Sequence, residues 1–157
     1  IRILPRPQHI EEREEDCFLI TIAELQWTAV AHQKYFFYAS QLAEHLKIIS
    51  IELLIDRRSS GAHKGIVLCM SEEAELQEKI KRKEAYRLEI TPEGATVCAA
   101  EKEGLFNGVQ TLRQLIIQYG SSLPCLYIED YPALSVRGWF MDVTRGRIPK
   151  MTYLKEL

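Results

Sequence analysis

The chain has 157 residues, 46% of them apolar and 27% charged, values of an ordinary globular domain that exclude global disorder. Its net charge is −2 with acids and bases interleaved, so no basic field draws phosphate backbones and nucleic acid is not expected as a partner. No apolar run approaches the roughly 18 residues that a spanning helix needs, which removes the expectation of a membrane partner.

A chain of this length builds one domain that buries roughly two thirds of its unfolded surface. The start, Ile1-Arg2-Ile3-Leu4-Pro5, has neither a charged and apolar leader nor a small-residue cleavage site, and it lacks an initiator methionine. The default expectation is a cytoplasmic protein, with a trimmed leader left open. Cys17, Cys69, Cys98 and Cys125 are far apart, lie in apolar neighbourhoods and form no C-x-x-C pair. They are expected to be buried free thiols acting as small hydrophobes.

In chain order, residues 1–22 read as extended, with Cys17 to Ile22 the most strand-like part and the acidic run Glu11 to Asp16 a solvated turn or edge. From Thr28 to Lys47 the period becomes helical, with Ala31, Tyr35, Tyr38, Leu42 and Leu46 on one face. Ile49, Ile51, Leu53 and Ile55 alternate as a strand, and Arg57 to Gly61 breaks it. Gly65 to Met70 is continuously apolar, the pattern of a central strand covered on both faces. Ser71 to Glu84 reads as a solvated connector with one or two helical turns, in which Glu75 and Lys79, and Glu78 and Arg82, are spaced for ion pairs.

The clearest hairpin follows. Tyr86, Leu88 and Ile90 alternate with Arg87 and Glu89, Thr91-Pro92-Glu93-Gly94 makes the turn, and Ala95 to Ala100 returns. A second helix is expected from Lys102 to Tyr119, with Leu105, Val109, Leu112, Ile116 and Tyr119 on one face and Gln110, Gln114 and Gln118 on the opposite side; Gly120 stops it. Leu126 to Ile128 is a last strand before Asp130-Tyr131-Pro132. Beyond it come a mostly apolar strand, Val136 to Arg145, and a helix from Lys150 to Leu157. That helix has barely one turn of apolar positions, so the chain is expected to be the front of a longer protein. The sum is an α+β fold with a mostly antiparallel sheet and two long helices on one face.

Motifs for chemistry are scarce. His9, His32, His45 and His63 share no metal-ligand spacing, and no dinucleotide, phosphate-loop or nucleophile-elbow signature occurs, so neither a metal nor a cofactor is expected. Paired carboxylates occur only within exposed Glu-rich runs. Arg137 stands apart, because an arginine on an otherwise apolar strand must find a partner or reach a cavity. On physics alone, a salt bridge to Asp142 or across a domain boundary and a ligand site are equally open.

Two segments carry a family resemblance. Gly104-Leu105-Phe106-Asn107-Gly108-Val109-Gln110-Thr111-Leu112-Arg113-Gln114-Leu115 resembles the helix signature of the small non-catalytic domain of family-20 glycoside hydrolases, the β-N-acetylhexosaminidases. Ile128-Glu129-Asp130-Tyr131-Pro132, with Arg137-Gly138 and Met141-Asp142-Val143-Thr144-Arg145, resembles that family's linker and first barrel strand, and Tyr86 to Ile90 fits a strand of the small domain. The resemblance implies a small α+β domain over residues 1–130 and, over 131–157, the linker and truncated start of a (β/α)8 catalytic barrel. It also implies removal of terminal β-linked N-acetylhexosamines from glycans by a substrate-assisted retaining mechanism, an exception to the two-carboxylate scheme.

Carried over, Arg137 matches an arginine that binds sugar hydroxyls, while Asp142 and Arg145 match positions that support the site. After Arg145 the family often has a histidine and aromatics, where Gly146-Arg147-Ile148-Pro149 stand here. The catalytic Asp-Glu pair comes much later in the family, and Glu129-Asp130 has the reverse order, so no catalytic residue is expected in this stretch and it should be inert alone. The rival reading is a carbohydrate-binding or interaction module attached to a different glycosidase catalytic domain. Such a module would display aromatics on one sheet face, and Trp27 and Trp139, the two tryptophans, lie in no such patch.

Overall fold

Alternation at a two-residue period forces Tyr86, Leu88 and Ile90 to one side of a strand and Arg87 and Glu89 to the other, and the fold grows around this hairpin. The computed structural model describes residues 1–14, 16–20, 23–27, 53–56, 65–70, 84–134, 136–138, 140 and 150–156. Among them the elements are β1 (His9–Glu12), β2 (Phe18–Leu19), β3 (Ala23–Trp27), β4 (Leu53–Asp56), β5 (Gly65–Met70), β6 (Tyr86–Thr91), β7 (Gly94–Ala99), α1 (Lys102–Tyr119), β8 (Ser122–Leu123), β9 (Leu126–Asp130) and α2 (Met151–Glu156).

Seven strands form one sheet in the order β1-β9-β6-β7-β5-β3-β4, and β2 pairs with β8 in a small antiparallel ribbon beside it. β6 and β7 meet in tight register across the Pro92-Glu93 loop, with Thr91 opposite Gly94 and Tyr86 opposite Ala99. The sheet is mixed rather than mostly antiparallel. Pairings β1–β9, β9–β6 and β6–β7 are antiparallel, whereas β7–β5, β5–β3 and β3–β4 are parallel. Parallel neighbours need long crossover connections, and a local hairpin pattern carries no trace of such distant pairing.

One face of the sheet carries Ile66, Leu68, Tyr86, Leu88, Ile90, Ala95, Val97, Ala99, Leu126 and Ile128, all buried in a single cluster with α1. Leu105, Val109, Leu112, Leu115 and Ile116 are the helix side of that core, which is the expected stripe with Leu115 added. Tyr119 departs from it and is exposed at the end of the last turn. Gly120 closes the helix in the left-handed region, at φ 65°, and donates its N–H to Ile116 O. Close packing at the start of α1 depends on two glycines. A Cβ at Gly104 would lie 2.0 Å from Ala85 O, and one at Gly108 would lie 2.4 Å from Val97 Cγ1.

Three further expectations meet the structure. Gly65–Met70 is a strand with β3 and β7 on its two edges, and its first four residues are buried. The cysteine expectation fails in part: Cys69 and Cys98 lie opposite each other on β5 and β7, with Cα atoms 4.7 Å apart, and form a disulfide. Of the two remaining thiols, Cys125 is buried as expected and Cys17 is exposed. Within the 17–22 stretch the described strand is β2, Phe18–Leu19, which pairs with β8 beside the main sheet; residues 21 and 22 lie outside the described residues.

The expected helix 28–47, the connector 71–83 and the start of the 49–55 strand fall outside the described residues. So does most of the expected strand 136–145; its described residues 136–138 and 140 are not in a strand, and Val136 and Phe140 are exposed. Among the described residues, no helix is long and apolar enough to cross a membrane.

Candidate functional site

Gln114 and Gln118 lie one helical turn apart on α1, and that spacing decides what crosses the helix. Four residues of helix rise about 6 Å, and two residues of extended chain advance about 6.6 Å. The two glutamines therefore match alternate residues of a strand. Gln118 accepts from Arg2 N–H at 3.2 Å and donates to Arg2 O at 3.3 Å. Gln114 accepts from Leu4 N–H at 2.9 Å and donates to Leu4 O at 2.8 Å. Between them Ile3 turns inward and is buried in the core. The N-terminal segment is thus strapped over α1, and Gln114 and Gln118 of the glutamine row expected on the far side of the helix have a backbone partner.

Beyond Leu4 the strap diverges from the helix and leaves a cleft of about 440 Å³. Its walls are the strap, α1 and the segment that follows β9, represented by Gln8, Gln110, Tyr131, Leu134 and Arg137. Tyr86, buried at the start of β6, and Thr111 of α1 share a hydrogen bond of 2.6 Å between their hydroxyls. Burial pushes the Tyr86 phenol well above its ordinary range; Asp130 adds to the rise and the bond to Thr111 opposes it. Tyr86 is therefore a neutral hydroxyl at any physiological pH. Asp130, at the end of β9, accepts from Gln8 N–H at 3.1 Å and fixes the strap at its second end.

Glu84 precedes β6 and sits at the mouth of this cleft. Its main chain is held by α1, where Asn107 Nδ2 donates to Glu84 O at 3.2 Å. Its carboxylate binds the guanidinium of Arg137 through Oε2 and Nη2, and Arg137 Nη1 donates to Leu134 O at 2.8 Å. Arg137, singled out from sequence, is therefore in the cleft and ion-paired. Among the described residues its ion-pair partner is Glu84. Asp142 and Arg145 lie outside the described residues. Glu84 escaped the sequence reading because it ends a run of solvated charges, Glu75 to Glu84, with nothing to distinguish it from its neighbours.

The cleft is lined by both charged and neutral polar groups. Its two carboxylates are both engaged, Glu84 with Arg137 and Asp130 with a backbone amide. The rest of its polar lining is the two guanidinium groups of Arg6 and Arg137 together with amides and hydroxyls, Asn107, Gln110, Thr111 and Tyr86 among them. Among the described residues, no group of three or more His, Cys, Asp and Glu side chains is placed to hold a metal.

Opposite the core, the face of β1, β9 and β6 is polar. Tyr127 on β9 lies 5.6 Å beneath the Arg87 guanidinium, meets the His9 ring edge-on at 6.1 Å and donates to Glu129 Oε2 at 3.0 Å. Partial burial and that carboxylate raise the Tyr127 phenol, with Arg87 opposing. Arg13 bridges to Glu89 at 2.9 Å on the same side of the hairpin.

Comparison with known proteins adds an independent line. The family model for glycosyl hydrolase family 20, domain 2, matches residues 1–131. A beta-hexosaminidase of Akkermansia muciniphila is 41% identical over 69 residues, covering 42% of this chain and 14% of its own length. A beta-N-acetylhexosaminidase of Cellulomonas fimi is 27% identical over 150 residues, 92% of this chain and 29% of its own. Among solved structures, a beta-N-acetylhexosaminidase from Bacteroides fragilis superposes with a TM-score of 0.73 at 22% identity, over 98% of this chain and 29% of that one, a likeness of fold. The chain thus spans less than a third of the length of each of these proteins.

Proposed function

The chain belongs to glycosyl hydrolase family 20, whose domain 2 it carries, and from that premise we propose that it is the N-terminal portion of a hydrolase that removes terminal β-linked N-acetylhexosamines from glycans. The family match over residues 1–131 is the observation that carries this reading. The proposed mechanism is substrate-assisted: the acetamido oxygen of the sugar attacks C1, an aspartate orients it and a glutamate protonates the leaving oxygen, which departs from the usual two-carboxylate scheme. Both acids belong to a catalytic barrel that residues 131–157 lead into. Residues 1–130 act as the small domain beside it, and residues 1–157 alone are inert.

In this reading Arg137 donates charge-assisted hydrogen bonds to sugar hydroxyls, with Asp142 and Arg145 supporting the site. The engaged carboxylates of the cleft agree with a domain that organises its neighbour and leaves proton transfer to it. A module that binds glycans on the open sheet face is less well supported. Among the described residues Tyr127 is the aromatic there, and Arg87 and His9 already occupy its surface.

The test is hydrolysis of an aryl N-acetylhexosaminide. The intact protein should cleave it and residues 1–157 should not. Arg137→Ala in the intact protein should lower kcat/KM by roughly tenfold or more, since each charge-assisted bond is worth about 1.5–3 kcal/mol. An intact protein inactive on every N-acetylhexosaminide would refute the assignment.

A further inference from the structure

The strand register lines up one row of side chains across the sheet. His9 on β1 stands opposite Glu129 on β9, Glu129 opposite Arg87 on β6, Arg87 opposite Cys98 on β7, and Cys98 opposite Cys69 on β5. Cys98 lies between the buried Val97 and Ala99, and Cys69 follows the buried Leu68, so strand alternation turns both sulfurs away from the core. Both cysteines are half-buried, and Cys98 packs against Ala85. Their disulfide sits where the sheet changes character, since β7 pairs antiparallel with β6 and parallel with β5.

Directly opposed residues of an antiparallel pair have Cβ atoms about 4.5–5.5 Å apart, so Arg87 is within side-chain reach of Cys98. The carboxylates nearest to Arg87 in the register are already engaged: Glu129 accepts from the Tyr127 hydroxyl and Glu89 binds Arg13. Arg87 has its Cζ 5.6 Å from the centre of the Tyr127 ring, which His9 meets from β1. Its Nε is buried without a hydrogen-bond partner, and among the described residues no ion pair reaches it. A buried N–H without an acceptor calls for a reason, and a redox role is one. The closed disulfide offers Arg87 no anion, whereas a thiolate at Cys98 would.

We propose that Cys69–Cys98 is a thiol-exchange site, at which a low-molecular-weight thiol attacks the Cys69 sulfur and Cys98 departs as a thiolate held by the Arg87 guanidinium. The incoming thiol first loses its proton to solvent. Its sulfur bonds to Cys69 Sγ as the Cys69–Cys98 bond breaks, and the bonding pair leaves on Cys98 Sγ. A second thiolate then attacks the outer sulfur of the mixed disulfide, and Cys69 takes a proton from solvent. Two thiols are thereby oxidised to one disulfide, and the protein pair gains two electrons. Arg87 acts on the first step, because a neighbouring cation favours the thiolate and a more acidic thiol leaves faster. The register of β5 and β7 keeps the two strands paired when the bridge opens.

The experiment treats the intact protein with reduced glutathione in the absence of denaturant, quenches early with iodoacetamide and maps the modified peptides by mass spectrometry. Glutathione should be found on Cys69 and the carbamidomethyl group on Cys98. After full reduction with a phosphine, the pH profile of alkylation should place the Cys98 midpoint below that of Cys69 and below about 8.5, the value of an ordinary cysteine. Arg87→Met should raise the Cys98 midpoint by about half a pH unit, the scale of a partly exposed charge pair, and should slow the exchange. Arg87→Lys should restore most of both. Circular dichroism of each reduced protein reports whether it stays folded.

Glutathione on Cys98 with Cys69 alkylated would reverse the leaving group, and exchange that requires denaturant would make the bridge purely structural. Either result overturns the proposal, and both are read in the wild type, whatever the variants do. A Cys98 midpoint at or above that of Cys69, or one that Arg87→Met leaves in place in a folded protein, removes the guanidinium from the reaction and overturns it as well. None of these outcomes bears on the hydrolysis of glycans.

Discussion

Gly104→Ala tests the joint on which the cleft depends. The added methyl carbon would stand 2.0 Å from Ala85 O, 2.9 Å from Ala85 C and 3.1 Å from Ala99 Cβ. Ordinary contact begins at 3.4 Å, so helix and strand must separate by 3.4 − 2.0, about 1.4 Å, and the obstacle is backbone that cannot rotate aside. Overpacking of this kind costs typically 1–3 kcal/mol, and a rigid backbone obstacle puts it at about 3. Alanine returns about 1 kcal/mol as the better helix former, so the net loss should be about 2 kcal/mol. With a urea m-value of about 1–3 kcal/mol/M, the midpoint followed by far-ultraviolet circular dichroism should fall by about 1 M at unchanged m. Gly138→Ala is the control, because a Cβ there meets nothing within 4 Å and the change should stay within about 0.5 kcal/mol. A Gly104→Ala protein as stable as the wild type, or more so, would show that the helix does not rest on Ala85.

Leu112→Ala should cost about 2–5 kcal/mol, since Leu112 is fully buried at the middle of the helix stripe; an unchanged denaturation midpoint would mean that the stripe does not face the sheet. Tyr86→Phe should lose about 0.5–1.5 kcal/mol near pH 8 with the bond to Thr111. Because folding raises the Tyr86 phenol, its contribution is complete below about pH 10, the unfolded value, and is lost as pH rises through the higher folded value. The wild type should therefore lose more stability than Tyr86→Phe between pH 8 and pH 11, and parallel urea midpoints across that range would refute it. Thiol titration of the unreduced, denatured protein should find two free groups, four cysteines less the two in the Cys69–Cys98 bridge. Reduction should destabilise it by up to about 3.6 kcal/mol for a separation of 29 residues.

What was legible in the sequence was whatever a local period could encode. The helix Lys102–Tyr119 and the strand Gly65–Met70 carry their own boundaries, one in its apolar stripe and terminal glycine, the other in an unbroken apolar run. The hairpin was legible because Pro92 and Gly94 lie between two alternating segments. Illegible were the pairings between residues far apart in the chain. Nothing near Cys69 announces that its neighbour in space is Cys98, because that follows from the parallel register of β5 and β7. The two-residue strand Ser122–Leu123 is too short to show a period and exists only because Phe18 and Leu19 lie opposite.

The candidate site divides along the same line. Arg137 was conspicuous because a charge on an apolar stretch needs an explanation, whereas Glu84 was camouflaged by the charges before it. What ties them together is the start of α1, where Gly104, Asn107 and Gly108 fall at spacings of three and four residues and so share one face. Each answers a different neighbour: Gly104 meets the Ala85 backbone, Asn107 the Glu84 carbonyl, and Gly108 the side chains of Val97 and Tyr86. Two glycines in the first two turns of a helix weaken it locally, and that cost is offset only if the close approach itself is required. The approach brings β6 against the helix, sets the main chain before it and presents the Glu84 carboxylate to Arg137. A helix start built for its own stability would carry alanines there, and it would leave Glu84 without its backbone anchor.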